Sequence, residues 1–462
     1  MMKIMTKCLA TWLVFCCATA VASDAYIQSV AKSWEVRPII TVGEAAANGY
    51  RMAGIPDGMG AFDNQDGSFT LLVNHEIAAD KGDVRAHGAK GAFVSKWRVD
   101  VETLKVIDGS DLIQKVQLWD AKTKQYAQAG NFAFSRLCSA DLARAGMFYD
   151  AASGAGYKEP LFLNGEEDKT TGRAFAHTLT GDSFELADLG KIQWENAVVN
   201  PMASAKTLVI GMDDNHDKGL LLVYVGQKRK VGNPAELAGL VGGKLYALKV
   251  DESRFSLVSL GDDVALKNIN AFRAHALERK ASTFARPEDG AWDTQNNHLF
   301  YFATTDKIDG NAQLFTLLFD DIQKPEQGGK IAVALNGTDI GAQMFDNLTV
   351  DEDGNVLIQE DPGSHERLAA IWRYDPKLNK TQKLFESNPE LFKPGVAKFL
   401  TINEEHSGII EVTALLKAAS WFDKNKRYFL GNTQVHPQGE VDKALYLKHG
   451  QIWLISGPKT ID

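Results

Sequence analysis

The chain has 462 residues, 59 acidic against 50 basic side chains, a formal charge of −9 and four cysteines. An acidic balance of this kind argues against nucleic acid or an anionic membrane as a partner. The length and the 40 glycines fit one large β-rich domain or two smaller ones.

The N-terminus reads as a targeting segment. Lys3 and Lys7 form a short basic start, Cys8 to Val21 is apolar apart from Thr11 and Thr19, and Ala20-Val21-Ala22 is a small-residue cleavage site. The apolar stretch is short for a membrane span, and without a twin-arginine pair the general secretory route is expected. Residues 1–22 are therefore predicted to be a signal peptide and 23–462 one mature domain, periplasmic or secreted. Cleavage removes two lysines and no acid, taking −9 to −11. It also removes Cys8, Cys16 and Cys17. Cys138 remains, which excludes a disulfide framework within the mature chain. It is either a buried small hydrophobe or a metal ligand shielded from oxidation.

Seven apolar runs of strand type end in carboxylates. LLVNHE ends at Glu76, LFLNGEE at Glu166 and Glu167, and LVIGMDD at Asp213 and Asp214. LVSLGDD ends at Asp262 and Asp263, LFYFATTD at Asp306, VLIQED at Glu360 and Asp361, and FLTINEE at Glu404 and Glu405. One such acid is a turn residue by default. Recurrence carries more weight, because gathered carboxylates repel and are retained where a cation offsets the repulsion. From Glu167 onward the steps between ends are roughly 43 to 55 residues, near one propeller blade each. Innermost strands around a channel would gather the acids. The expected fold is all-β, a β-propeller with short helical insertions.

DNQDGS (63–68) and DEDGN (351–355) read as hairpin turns, each with a glycine at the position needing positive φ. Asp351-x-Asp353-Gly354 opens like a calcium loop but lacks its distal glutamate, and is assigned to the hairpin. Helices are predicted over Ser139 to Tyr149, with Ser139 as N-cap, over Pro234 to Leu240, and over Val412 to Phe422. YFLGNTQVH (428–436) is expected as the final strand.

Several blocks carry candidate chemistry. In Arg286-Pro287-Glu288-Asp289-Gly290 the proline is expected to hold Arg286 extended, aimed at an anionic oxygen beside a metal-binding Glu288. In Asn164-Gly165-Glu166-Glu167 adjacent acids should face opposite sides, so one should point inward. Trp194-Glu195-Asn196, Asn74-His75-Glu76 and Asp346-Asn347 offer oxygen donors. Oxygen-rich sets favour calcium, magnesium or manganese, and an added thiolate points to a transition metal alongside. Gly-x-Ser-x-Gly, His-Glu-x-x-His and P-loop signatures are absent.

Taken in order, LLVNHE (71–76), RLCSAD (136–141), LFLNGEE (161–167), KIQWENAV (191–198), RPEDGAWD (286–293) and FDNLTVDEDGNVLIQED (345–361) resemble the PhoX-type alkaline phosphatase family. That resemblance covers most of the mature chain. It implies a six-bladed propeller that hydrolyses phosphomonoesters with a cluster of ferric iron (Fe3+) and calcium (Ca2+) in its channel mouth. By motif, Cys138 would be an iron ligand, and Glu166, Glu167, Glu195 and Glu288 metal ligands. Glu76, Asp346 and Glu360 would be further metal ligands, and Arg286 would contact the phosphoryl oxygens. The implied partner is a small phosphate ester, with no membrane contact after signal cleavage. The alternatives are a lactonase- or phytase-like calcium propeller hydrolase and a non-catalytic calcium-stabilised binding propeller.

Overall fold

In the computed structural model, residues 24–437, apart from 203 and 217, and residues 449–461 are described. The predicted signal segment lies outside them. The described chain is all-β, with short helices at Pro234–Leu237, Ile269–Glu278, Gly337–Ile340 and Pro389–Phe392. Among the described residues, no helix is long and apolar enough to cross a membrane.

The apolar runs form strands buried on both faces: Ser68–His75, Leu161–Glu166, Lys206–Asp213, Leu299–Thr304 and Val356–Glu360. Alternation sends their side chains into two different cores. Leu71 and Val73 join Trp97, Leu430 and Leu454, whereas Leu72 joins Val94, Phe162 and Phe175. Ile358 packs with Tyr301 and Ala303, and its neighbour Leu357 with Phe429 and Trp453. A strand wedged between two cores has no polar face, which is why these runs read as continuous hydrophobics.

The acid-ended runs were expected to line the axis. Five of them, ending at Glu76, Glu167, Asp214, Asp306 and Asp361, are instead the second strands of antiparallel pairs whose less apolar partners lead, and the run ending at Asp262 and Asp263 lies farther out, at Arg254–Ser259. The lead strands are Pro56–Asp63, Leu137–Ala143, Trp194–Val199, Pro287–Trp292 and Phe345–Val350, followed by the short segments Glu404–Glu405 and Ile409–Glu411. Each packs on the next in chain order, and Ile409–Glu411 packs back on Pro56–Asp63, so the lead strands form a closed ring. Glu35–Thr41 pairs antiparallel with His449–Pro458, which pairs with Lys426–Val435. The early and late parts of the described chain thus share one sheet.

Both predicted hairpin turns form, with Gly67 at φ 81° and Gly354 at φ 85°. The Pro234 helix forms too, closed by a reciprocal capping box between Asn233 and Glu236. The helix expected over Ser139 to Tyr149 does not. Leu137–Ala143 is instead a lead strand paired with Leu161–Glu166; pairing in the ring outweighs local propensity. Residues 412–422 form turns, although Val412, Leu416 and Ala419 keep the buried spacing that suggested a helix. The last strand is His449–Pro458, beyond Lys426–Val435.

Candidate metal centre

Every lead strand starts opposite the end of its second strand: Pro56 faces His75, Leu137 faces Glu166, Trp194 faces Asp213, Pro287 faces Thr304 and Phe345 faces Glu360. Immediately afterwards the register slips. Asp57-Gly58 stands against Asn74 alone, Cys138-Ser139 against Gly165, Glu195-Asn196 against Met212, Glu288-Asp289 against Ala303, and Asp346-Asn347 against Gln359. Two residues against one is a β-bulge, which turns a side chain out of the normal alternation. The same bulge at the same level of five strands aims five donors at one axis. Ile55, Arg136, Arg286 and Met344, each two residues before a donor, have left-handed φ of 46–57°. Non-glycine residues rarely adopt this conformation, and where they do they cluster at functional sites. Arg286 is thus left-handed, not extended as expected.

The donors form three overlapping groups: Asp57, Glu76 and Cys138; Cys138, Glu167 and Glu195; and Glu195, Glu288 and Asp346. Within each group the ligand atoms lie within 4.8 Å of one another. Cys138 and Glu195 each belong to two groups. Of the eight metal-ligand candidates read from sequence, six meet here and two do not. Glu166 turns away to Arg173 (3.8 Å) and accepts from the Ser135 amide (3.1 Å). Glu360 is held by Arg367 (2.7 Å) and the Trp372 indole (2.9 Å). The cause is alternation at the second-strand ends. The first acid of each pair faces an arginine, as Asp213 also does with Arg273 (2.8 Å). The second acid, Glu167, Asp214 or Asp361, faces the centre. Asp361, not Glu360, is therefore the inward residue of its pair. Two further expected ends stay outside, since Asp262 and Asp263 are exposed and Asp306 is half-buried.

The sequence reading missed Asp57 and Arg136, and it named Asp214, Asp361 and Glu405 as strand ends without placing them among the ligand candidates. The signal that would have found Asp57 is the recurring start of the lead strands: Pro-Asp-Gly-Met, Leu-Cys-Ser-Ala, Trp-Glu-Asn-Ala, Pro-Glu-Asp-Gly and Phe-Asp-Asn-Leu. The close approach at the axis also requires glycine at two positions. A Cβ on Gly58 would lie 2.3 Å from the Ala140 nitrogen, and one on Gly165 would lie 2.2 Å from the Trp194 Cβ.

Charge accumulates beyond what the protein compensates. Burial, and then Asp57, Glu195, Glu76 and Glu167, push the Cys138 thiol well above its usual range. Burial with like-charged neighbours does the same to Asp57, Glu195, Glu288 and Asp346, and takes Glu167 to about 8. Two arginines stand against them. Arg286 grips both oxygens of Asp214 at 2.7 and 2.9 Å and meets Glu288 at 2.9 Å. Arg136 meets Glu76 at 2.5 Å and also pairs with Glu167. Among the described residues, Asp57 Oδ1 is buried with no hydrogen-bond partner. Bound cations would satisfy these groups: the two sulfur-containing groups suit a transition metal, and the all-oxygen group suits a hard cation.

Beneath the donors lies a layer made by the second residues of the bulges. Asn347 donates to Ser139 Oγ, which donates to Glu195 Oε1; Asn196 donates to Asp289 Oδ1 at 2.6 Å. Ser139 and Asn347 sit on lead strands that are not neighbours in the ring, so their bond spans the axis. Ser139→Ala will free the shared Glu195 while leaving the fold intact. Metal affinity, measured by competition with a chelator, is expected to drop roughly ten- to a hundredfold, as for other outer-shell partners. Unchanged affinity would show that the hydroxyl merely fills space.

No family model and no curated protein matches the chain. Among solved structures, Pseudomonas fluorescens PhoX in complex with vanadate, a transition state analogue, superposes with a TM-score of 0.64 at 12% identity. The match covers 92% of this chain and 95% of that one. A protein of unknown function from Dyadobacter fermentans aligns over 92% of this chain and 99% of its own, at 7% identity and a TM-score of 0.42. Sqt1 from Chaetomium thermophilum aligns over 92% and 98%, at 9% identity and a TM-score of 0.33. The first value is that of a shared fold; the other two fall below one.

Proposed function

We propose that the chain is a metal-dependent phosphoesterase of PhoX-like type, acting on phosphomonoesters. Its architecture is read as a six-bladed propeller forming one domain over 23–462. The nine-stranded sheet is then two blades fused where Arg254–Ser259 pairs with Gly329–Asn336. One observation carries the functional reading: three donor groups joined through Cys138 and Glu195, with two arginines against the same carboxylates. A structural calcium site needs neither the thiol nor the arginines. The PhoX fold likeness agrees, and that enzyme's structure holds a transition state analogue. Export to the periplasm or beyond, through the segment 1–22, belongs to the same proposal.

Asp57, Glu76, Cys138, Glu167 and Glu195 would hold iron, and Glu195, Glu288 and Asp346 would hold calcium. Ions so held would neutralise the phosphate and polarise its oxygens. The protein's part is orientation. Asp57 Oδ2 accepts a hydrogen bond from the Cys138 thiol at 3.3 Å, and both groups would give up their protons to solvent to serve as ligands. Gln434 donates to both Asp57 and Glu76, and Thr305 donates to Glu288 at 2.7 Å. The Asn347–Ser139 bond ties opposite lead strands together across the axis and steadies Glu195 through the same hydroxyl. Arg286, anchored on Asp214, places its remaining nitrogen toward the oxygens of the phosphoryl group, where a preorganised donor lowers the barrier.

The test is hydrolysis of an aryl phosphate by metal-loaded protein, its loss with chelator and its return with calcium. Preference for lactones, or no hydrolysis at all when loaded, would move the assignment to the lactonase or binding readings. Arg286→Lys should lower kcat roughly a hundredfold, because one ammonium cannot hold both Asp214 oxygens and still serve the substrate. A variant as fast as the parent would show that this arginine only supports the turn.

A further inference from the structure

Arg136 and Arg286 occupy matching places in the ring. Each stands two residues before a donor, Cys138 or Glu288, each is left-handed (φ 49° and 57°), and each meets a carboxylate at the end of a second strand. Each commits Nε and Nη2 and leaves Nη1 unbonded among the described residues; the two differ in exposure. The Arg286 side chain is 16% exposed, and two of its nitrogens are committed to Asp214 and Glu288. The Arg136 side chain is 45% exposed. Its Nη2 lies between Glu76 and Glu167 and its Nε donates to the Glu167 carbonyl at 3.2 Å. Its Nη1 donates no hydrogen bond among the described residues. The Arg136 backbone is equally fixed: its amide donates to Ile77 O at 3.0 Å and its carbonyl accepts from the Glu167 amide at 2.8 Å.

A half-exposed guanidinium anchored on one side by two carboxylates has a preset orientation and one free nitrogen, Nη1. Its N–H groups can donate a charge-assisted hydrogen bond to an oxygen of a tetrahedral oxyanion. We propose that Arg136 is a second substrate-binding residue of this site, receiving a phosphoryl oxygen of the incoming ester and setting affinity, while the more deeply held Arg286 sets the rate. This assignment rests on the phosphoesterase reading. It divides the work by exposure. Arg136 meets the anion on arrival, so its contact is present in both the ground state and the transition state and acts on KM.

The experiment compares metal-loaded wild type, Arg136→Gln and Arg136→Lys by calorimetric titration with inorganic phosphate, steady-state kinetics on an aryl phosphate, and metal analysis. The expected result for Arg136→Gln is a phosphate Kd and a KM each raised roughly tenfold or more, with kcat within a few-fold of the parent and metal content unchanged. Arg136→Lys should recover part of the affinity through its charge. Unchanged Kd and KM in both variants would overturn the proposal. So would loss of metal from Arg136→Gln with full retention in Arg136→Lys, which would make the arginine a charge compensator for Glu76 and Glu167. A wild type that binds phosphate through Arg136 yet hydrolyses no ester would remove the phosphoesterase reading and leave the anion site standing. A wild type that hydrolyses esters with KM indifferent to Arg136 would remove only this inference.

Discussion

Glu195→Gln will deprive two donor groups of their shared carboxylate at once, and metal content and activity are expected to fall together. The side chain is buried and tethered by Ser139, and it is common to the sulfur-containing group with Cys138 and Glu167 and to the all-oxygen group with Glu288 and Asp346. Removing an outer-shell partner of a metal ligand costs ten- to a hundredfold, so losing the ligand itself should cost roughly a hundredfold or more in rate. The substitution should act oppositely on protein stripped of metal. Burial, and then the charges of Asp57 and Glu167, hold the Glu195 carboxyl well above its ordinary range, so ionised Glu195 is a liability without cations. Stripped Glu195→Gln should therefore melt above stripped wild type at pH 8, whereas with metal the order reverses. Thermal denaturation with and without chelator reads both signs. Full metal content and full rate in the variant would remove Glu195 from the centre.

The stability of stripped wild type should fall steadily with rising pH. Folding raises the pKa of Glu167 from 4.5 to about 8, and raises those of Asp57, Glu288 and Asp346 in the same direction, chiefly through burial. A group with a raised folded pKa binds its proton more tightly in the folded state. Its contribution is complete below the unfolded pKa and is lost as pH climbs through the folded one. For Glu167 that window runs from about 4.5 to about 8. Cations reverse the trend by stabilising the ionised ligands. At a thousandfold excess over its Kd, a bound ion adds on the order of 4 kcal/mol. Metal uptake should also release protons, because the thiol and the raised carboxyls must ionise to bind. Calorimetry in two buffers of different ionisation heat would count them. A melting temperature flat between pH 5 and 8 after stripping, or no proton release on loading, would contradict a cation-dependent centre.

The class of the fold and the candidate chemistry were legible in the chain itself. Continuous apolar runs such as Leu71–Val73 and Val356–Ile358 mark strands buried on both faces, since no polar face survives between two cores. Their carboxylate ends, Cys138 and the Arg286 block pointed to a cation site because unpaired buried charge is not retained without a counterion. Only the tertiary structure decided which residues face the axis. In a strand, one position separates inside from outside, so Glu167 turns inward and Glu166 outward, and Asp361 replaces Glu360. The bulges then suspend that alternation where the lead strands begin, a change of register that depends on the partner strand and not on local composition. The same pairing turned Ser139 from a predicted helix cap into the hydroxyl that holds Glu195. It also placed Arg136, quoted in sequence only as a neighbour of Cys138, between two inward carboxylates. Strand character is written into short stretches of sequence; facing is settled by contacts between residues as far apart as Ser139 and Asn347, which meet only when the ring closes.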